Sequence, residues 1–412
     1  MLTRRRFLLL LIFGAPLLVI FCQCNIFSGS KADPRGTAYA GAATCVSCHK
    51  AVYGDYLHGA HFSTSRLADE HSINGSFVPG HNVYTLNNNT KVIMEKRDTG
   101  LFQVAYVNGK VVNEQRFGIT IGGVKAESYL YWARNSLYQL PISHFKALGS
   151  WANSPGYRSD KVDFSRPVGA DCMSCHASYM KEVPNNQPLQ HGEEFDKTAV
   201  ILGIDCERCH GPAAQHADYQ TGHPEDKKAR FIAVYSALPR AAKMDMCAIC
   251  HSGASDMMLR PSFTFKPGDR VSDFRLASLF QNTDPNQLDV HGNQCQLLRS
   301  SNCFISSNMD CATCHNVHAD QRGQIALYSQ KCISCHQQTN HKFSNMTPAF
   351  AVAIKTNCID CHMPVKSSNA IALNTGQKNT IVPYRVRTHR IAIYTDVTQA
   401  MMNKLLLKGK QN

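Results

Sequence analysis

Apolar residues are spread unevenly along the chain, and their pattern divides it. From Phe7 to Phe21 they form an almost unbroken run, interrupted by Gly14 and Pro16. Arg4, Arg5 and Arg6 stand directly before it. A short cationic region followed by such a run has the form of a bacterial export signal, expected here over residues 1–23. The run is short for a bilayer-spanning helix, and Gly14-Ala15-Pro16 weakens it further. Ser28 to Ala43 is small and polar without apolar periodicity, as suits a linker over residues 24–44.

Residues 62–168 read as β-rich. Lys91–Met94, Leu101–Val107, Lys110–Val112 and Phe117–Ile121 have strand character, and Asn108-Gly109 between two of them is the signal for a type I′ hairpin. Tyr129–Trp132 and Leu137–Pro141 extend an aromatic patch. A small β-module packing over the first of the sites described next is expected, with partner or substrate binding at the patch as the other reading.

Beyond residue 168 the pattern is dominated by cysteine. The chain has 18 cysteines, too many for an ordinary cytosolic enzyme. Fourteen of them fall into seven Cys-x-x-Cys-His sequences: Cys45-Cys48-His49, Cys172-Cys175-His176, Cys206-Cys209-His210, Cys247-Cys250-His251, Cys311-Cys314-His315, Cys332-Cys335-His336 and Cys358-Cys361-His362. On a helical turn, positions i, i+3 and i+4 share a face. Two thiols so placed can form thioethers to the two vinyl groups of one porphyrin, and the adjacent imidazole reaches the iron. Zinc sites and disulfide scaffolds use paired cysteines but do not need the following histidine seven times. Seven covalently attached haem c groups are therefore expected.

The intervals between motif starts run from 21 residues (Cys311 to Cys332) to 127 (Cys45 to Cys172), so this is no array of equal repeats. Six motifs crowd into residues 172–362, where peptide alone cannot build a large apolar core and porphyrins must supply much of it. The expected fold is mainly α and irregular, packed around haem. A first haem segment spans 45–61, a small β-rich insertion 62–168, a six-haem domain 169–391 and a tail 392–412.

Nineteen histidines leave twelve beyond the seven proximal ones, enough for a second imidazole on every iron. His61, His216, His318, His341 and His389 are the expected sixth ligands from their placement after motifs. His318, three residues past a proximal histidine, should serve a neighbouring haem. His144, His291, His81 and His58 are weaker candidates. Five ligands for seven irons leave two open, to be filled by a methionine such as Met244 or Met246, or by no protein group.

The formal charge of +13 ordinarily suggests nucleic acid or acidic membranes. Signal removal takes three arginines, and seven haems bring about fourteen propionate charges against about one positive charge per ferric centre, so the mature protein is only weakly basic. Nucleic-acid binding is not expected. Cys22 and Cys24 close the apolar run as in a lipoprotein signal, which would attach the chain to a membrane through an N-terminal lipid. Thr3–Leu8 also resembles a twin-arginine signal, but haem is attached to unfolded exported chains, which favours ordinary secretion. Cys295 and Cys303 are left over, and in an oxidising compartment a disulfide is the default.

Several stretches resemble a group of multihaem cytochromes related in motif style to the tetrahaem electron carrier of hydroxylamine oxidation. They include Cys45–His49 with Tyr53 and His61, Gln139-Leu140-Pro141, and Trp151-x-x-Ser154-Pro155-Gly156-Tyr157. Gly203-Ile204-Asp205-Cys206-Glu207-Arg208-Cys209-His210-Gly211-Pro212 with His216, Cys311–His315 with His318, and Cys358 to Met363-Pro364 complete the likeness. The resemblance covers most of residues 37–391. It implies a periplasmic or surface-attached electron carrier with mainly bis-histidine haems and redox-protein partners, and it supports His61, His216 and His318. Two other readings stand beside it: an oxidoreductase acting on a small nitrogen or sulfur compound at one open haem, and a subunit of an electron-conducting assembly.

Overall fold

The computed structural model describes residues 32–158, 160–184, 192–253, 256–276, 284–338, 341, 348–374 and 381–408. The apolar run, Cys22 and Cys24 lie outside the described residues. Among those that are described, no helix is long and apolar enough to cross a membrane.

The strands begin where the sequence alternates. Val83–Asn87 buries every second residue, Tyr84 and Leu86, and Thr90–Arg97 buries Val92 and Met94, the period-two signature of a half-buried sheet. With Gly100–Val107 and Lys110–Arg116 they form a four-stranded antiparallel meander. Its last turn is Asn108-Gly109, both at positive φ (50° and 78°), as a type I′ hairpin requires.

A second, seven-stranded sheet follows, with Ala126–Ala133 paired to Ile119–Gly122, Ser136–Gln139 and Ile142–Phe145. Sixteen buried residues fill the space between the sheets, among them Val92, Met94 and Leu101 from the meander and Tyr129, Phe145 and Trp151 from its neighbour. The opposite face of the second sheet presents Ile119, Leu130 and Leu137 to Ala170 and Met173. Ala170–His176 is the helix that carries the second Cys-x-x-Cys-His sequence. The β-region therefore packs over the second motif, not the first as expected.

The expectation of a mainly helical protein with a small insertion is wrong. Helix accounts for 30 % and strand for 27 % of the described residues, and residues 83–153 form a large β-region. Further antiparallel hairpins, Ala177–Val183 with Glu194–Leu202 and Val365–Asn374 with Ile381–Arg387, lie inside the span read as a six-haem domain. The latter returns to the sheets, where Lys125 Nζ donates to the Arg385 carbonyl (3.1 Å).

The motif-rich half is built otherwise. Its described helices are short, Arg240–His251 and the C-terminal Thr395–Lys408 being the longest. Its apolar clusters are small: Met244, Ala248, Cys295 and Phe304 form one, and Ile249, Phe265 and Phe274 another. Clusters of four and three residues cannot hold a half-chain together by burial alone.

The segment read as a linker is partly folded in. Arg35, with 4 % of its side chain exposed, meets Asp33, Asp205 and Glu207 at 2.8–2.9 Å. Glu207 also accepts the backbone N–H groups of Ala40, Gly41 and Ala213, each at 2.9 Å. Residues 33–41 are thereby strapped onto the third motif.

Candidate haem sites

Each motif closes one backbone turn. The N–H of the histidine donates to the carbonyl of the first cysteine at 2.9 Å for His49, 3.0 Å for His315, 2.9 Å for His336 and 3.0 Å for His362. His176, His210 and His251 end the helices Ala170–His176, Cys206–His210 and Arg240–His251. Two sulfurs and one imidazole thus share a side seven times, as the spacing predicts. The third motif is the best braced: Asp205 caps its helix by accepting from Arg208 N (3.0 Å), and Gly211, at φ 77°, ends it.

Residues of all seven motifs line one continuous cavity of about 3030 Å³. Ordinary ligand pockets hold roughly 300–1,000 Å³, so this space suits several large groups.

Within it the imidazoles face each other in pairs. His49 lies opposite His216 with ring centroids 6.4 Å apart, and His61 opposite His251 at 6.2 Å. His210 faces His318 at 6.1 Å, His315 faces His389 at 6.2 Å, and His362 faces His341 at 6.1 Å. The constancy has a chemical meaning. A ligating imidazole nitrogen sits about 2.0–2.1 Å from its metal, and the ring centre lies about 1.1 Å further back, so two imidazoles on one metal are about 6.3 Å apart. Every pair joins one motif histidine to one of the five expected sixth ligands. These residues fit haem iron held between two histidines.

Hydrogen bonds behind the rings point the same way. Nδ1 of His210 donates to the Ala233 carbonyl (3.1 Å), that of His216 to Arg230 (2.7 Å) and that of His362 to Ala392 (2.9 Å). A proton held on Nδ1 leaves Nε2 as the free lone pair, turned to the cavity. His315 Nδ1 meets the Tyr328 hydroxyl at 3.3 Å. Burial first, then the imidazoles of His61 and His315 respectively, hold His251 and His389 down at about 4. Both rings are neutral at physiological pH, the form that binds metal. No sequence pattern marks the acceptor carbonyls, because a carbonyl belongs to every residue.

Gly203 packs against the segment that carries one of these imidazoles. At φ +71° its hydrogen looks at the chain bearing His61, and a Cβ there would come 2.5 Å from the Phe62 carbonyl oxygen. Gly203→Ala is expected to cost about 1–3 kcal/mol from left-handed backbone strain and overpacking. It should also loosen the His61–His251 pair, and thermal unfolding together with the high-spin fraction of the holoprotein reads both effects.

The weaker candidates separate. His291 lines the cavity, and its charge depresses His176, though burial is the larger cause there. His144 is buried in the β-region, edge-on to Trp151 at 5.7 Å. His58 and His81 are exposed and line no part of the cavity. Met246 lines it, whereas Met244 is buried beside Cys311, 3.9 Å from its sulfur. His176 and His336 have no facing imidazole at the spacing of the five pairs among the described residues. Cys295 and Cys303 are separate thiols, one buried and one half-buried, so the expected disulfide is not formed. The apolar cluster around Met244 and Phe304 holds Cys295 against Cys311 instead.

Comparison with known proteins agrees with this geometry. Residues 138–211, containing the second and third motifs, match the family model for cytochrome c554 and c-prime. The multiheme cytochrome MtrA of Shewanella baltica is 28 % identical over 211 residues, half of this chain and half of its own length. The dissimilatory sulfite reductase MccA of Wolinella succinogenes is 22 % identical over 80 % of this chain and 51 % of its own. The chain spans about half the length of these curated relatives. The crystal structure of the outer cell wall cytochrome OcwA shares the fold with a TM-score of 0.50 at 14 % identity, covering 88 % of this chain and 81 % of that one. These matches, with the repeated turns that set two sulfurs beside an imidazole, make the chain similar to the multihaem c-type cytochromes and imply covalently bound haem c.

Proposed function

We propose that this protein is an exported heptahaem carrier that passes electrons along a line of mainly bis-histidine haems to and from redox-protein partners. The observation that carries the reading is the set of five imidazole pairs at 6.1–6.4 Å along one cavity. Bound haem supplies the one-electron iron couple. The paired histidines would hold such an iron between them, and its charge could then change without ligand exchange. The carbonyls behind His210, His216 and His362 lock those rings against rotation. Periplasmic or surface placement is supported by the kind of relatives found, and Cys22 or Cys24 is proposed as the lipid attachment point. The domain limits given above, from the first haem segment to the six-haem span, are proposed with it.

Mass spectrometry of the purified holoprotein should give the increment of seven haems. Electron paramagnetic resonance should show ferric low-spin signals for at least the five paired irons. A smaller increment, or a predominantly high-spin spectrum, would overturn the proposal.

His176 and His336 favour a second reading, in which one of their irons takes a small nitrogen or sulfur oxyanion. Nitrite or sulfite should then perturb a high-spin signal in the untreated protein, and an unresponsive spectrum would remove that reading.

A further inference from the structure

The cysteine sulfurs of different motifs approach each other, and their contacts give an order. Cys45 is an electrostatic neighbour of Cys206, Cys247 of Cys311, and Cys332 of Cys358. Cys209 is an electrostatic neighbour of Cys247 and Cys250, and Cys314 of Cys332. These contacts run from the first motif through the third, fourth, fifth and sixth to the seventh. The second motif joins the line at the fourth, where Cys175 meets Cys250. It is a side branch.

Its surroundings are unusual in charge. Arg275, 9 % exposed, points Nη2 at Cys175 Sγ (3.2 Å) and donates from Nη1 to the carbonyls of Ser252 (3.3 Å) and Gly253 (3.2 Å). Arg208, 6 % exposed, donates from Nη2 to the Ser174 carbonyl (3.2 Å) and Ser262 Oγ (2.8 Å). Among the described residues neither makes an ion pair, and Nε of each is buried without a hydrogen-bond partner. Arg35, with 4 % of its side chain exposed, has three carboxylates. A buried cation with no protein carboxylate beside it favours the state of a nearby group that carries less positive charge. The iron of a haem carries less when it is reduced. On the ligand side, Nδ1 of His176 meets the Thr64 hydroxyl (3.1 Å), and the ring is also hydrogen-bonded to the Thr64 backbone.

The geometry points to Arg275 and Arg208 as a buried cationic site that raises the potential of the second haem above its neighbour's, making that branch a place where electrons collect. One electron leaves the ferrous iron at the fourth motif, which is oxidised, and reduces the ferric iron at the second. No bond forms or breaks and no proton is required. Arg275 and Arg208 are positioning residues for charge and touch no substrate.

The inference rests on the heptahaem reading, and potentiometric titration of the holoprotein followed by its visible spectrum tests it. In Arg275→Met the highest-potential one-electron step should move to lower potential while the haem mass stays at seven. Arg275→Lys should keep that step near its original position. Arg208→Met supplies the same measurement if Arg275→Met does not accumulate, and it should shift the step in the same direction. An unmoved step at full haem content, or an equal shift in the lysine and methionine variants, overturns the inference and leaves the heptahaem reading standing. A mass increment short of seven overturns that reading instead.

Discussion

Replacing His61 by glycine should turn one haem of the assembled protein from low-spin to high-spin. His61 is the only imidazole seen opposite His251 among the described residues, with centroids 6.2 Å apart. Its ring is otherwise held by a bond to the Val317 backbone, and its carbonyl accepts the Ile204 N–H at 2.9 Å. Glycine keeps the carbonyl contact and removes only the ring. The imidazole-sized space left behind opens onto the cavity, so the exposed axial position can take water, cyanide or added imidazole. Roughly one part in five to one part in seven of the low-spin ferric intensity should convert, and free imidazole should restore it. An unchanged low-spin spectrum with no cyanide uptake would mean that His61 is not a ligand. The same substitution at His144, buried against Trp151, should leave the spin state alone.

The second large effect belongs to stability. Arg35→Met leaves Asp33, Asp205 and Glu207 facing one another without their shared guanidinium. Breaking a buried pair by removing one partner typically costs about 3–5 kcal/mol, because the remaining charges stay buried. Denaturant unfolding followed by far-ultraviolet circular dichroism should show a loss of that order. A loss below about 1 kcal/mol would show that the cluster is effectively solvated. The pH dependence has a definite sign. Burial alone would raise Asp33, but hydrogen bonds from the Arg35 side chain and backbone, with its charge, bring it below the usual value. A carboxyl depressed in the folded state contributes stability above its unfolded pKa of about 3.9 and loses it as pH falls through the lower folded value. Wild type should therefore lose this contribution below about pH 4, and Arg35→Met should lack that part of the acid slope.

The site was far more legible in the sequence than the fold. Cys-x-x-Cys-His is a local device: its three groups lie within one turn, so spacing alone placed them. The five histidines that lie opposite motif histidines stood out because each follows a motif or sits in a short signature of its own. Their partners did not stand out, since His49 meets His216 and His61 meets His251 across long stretches of chain. The Asn108-Gly109 turn was readable for the same local reason as the motifs.

The size of the β-region was obscured by its own interior. Ser143 is fully buried in Ile142–Phe145, where its hydroxyl meets those of Ser128 (2.9 Å) and Ser154 (2.7 Å). Gln103, also fully buried, accepts the Ile142 N–H (3.1 Å) and donates to its carbonyl (2.6 Å). Polar residues satisfied inside a sheet break the apolar alternation by which strands are recognised. The linker misread has a related cause. Asp33 and Arg35 look like solvated charges until Asp205, 170 residues beyond Arg35, comes to meet them.

The way the imidazoles are exchanged has a bearing on cleavage. His61 comes from the segment after the first motif yet faces the fourth motif's histidine, while His216, which follows the third motif, faces that of the first. In the proposed holoprotein every peptide bond between His61 and His216 is therefore spanned by two coordinate links running through iron. A protease that nicked this stretch would sever the backbone but not part the fragments, and the cut protein would travel as one particle until acid protonated its histidines.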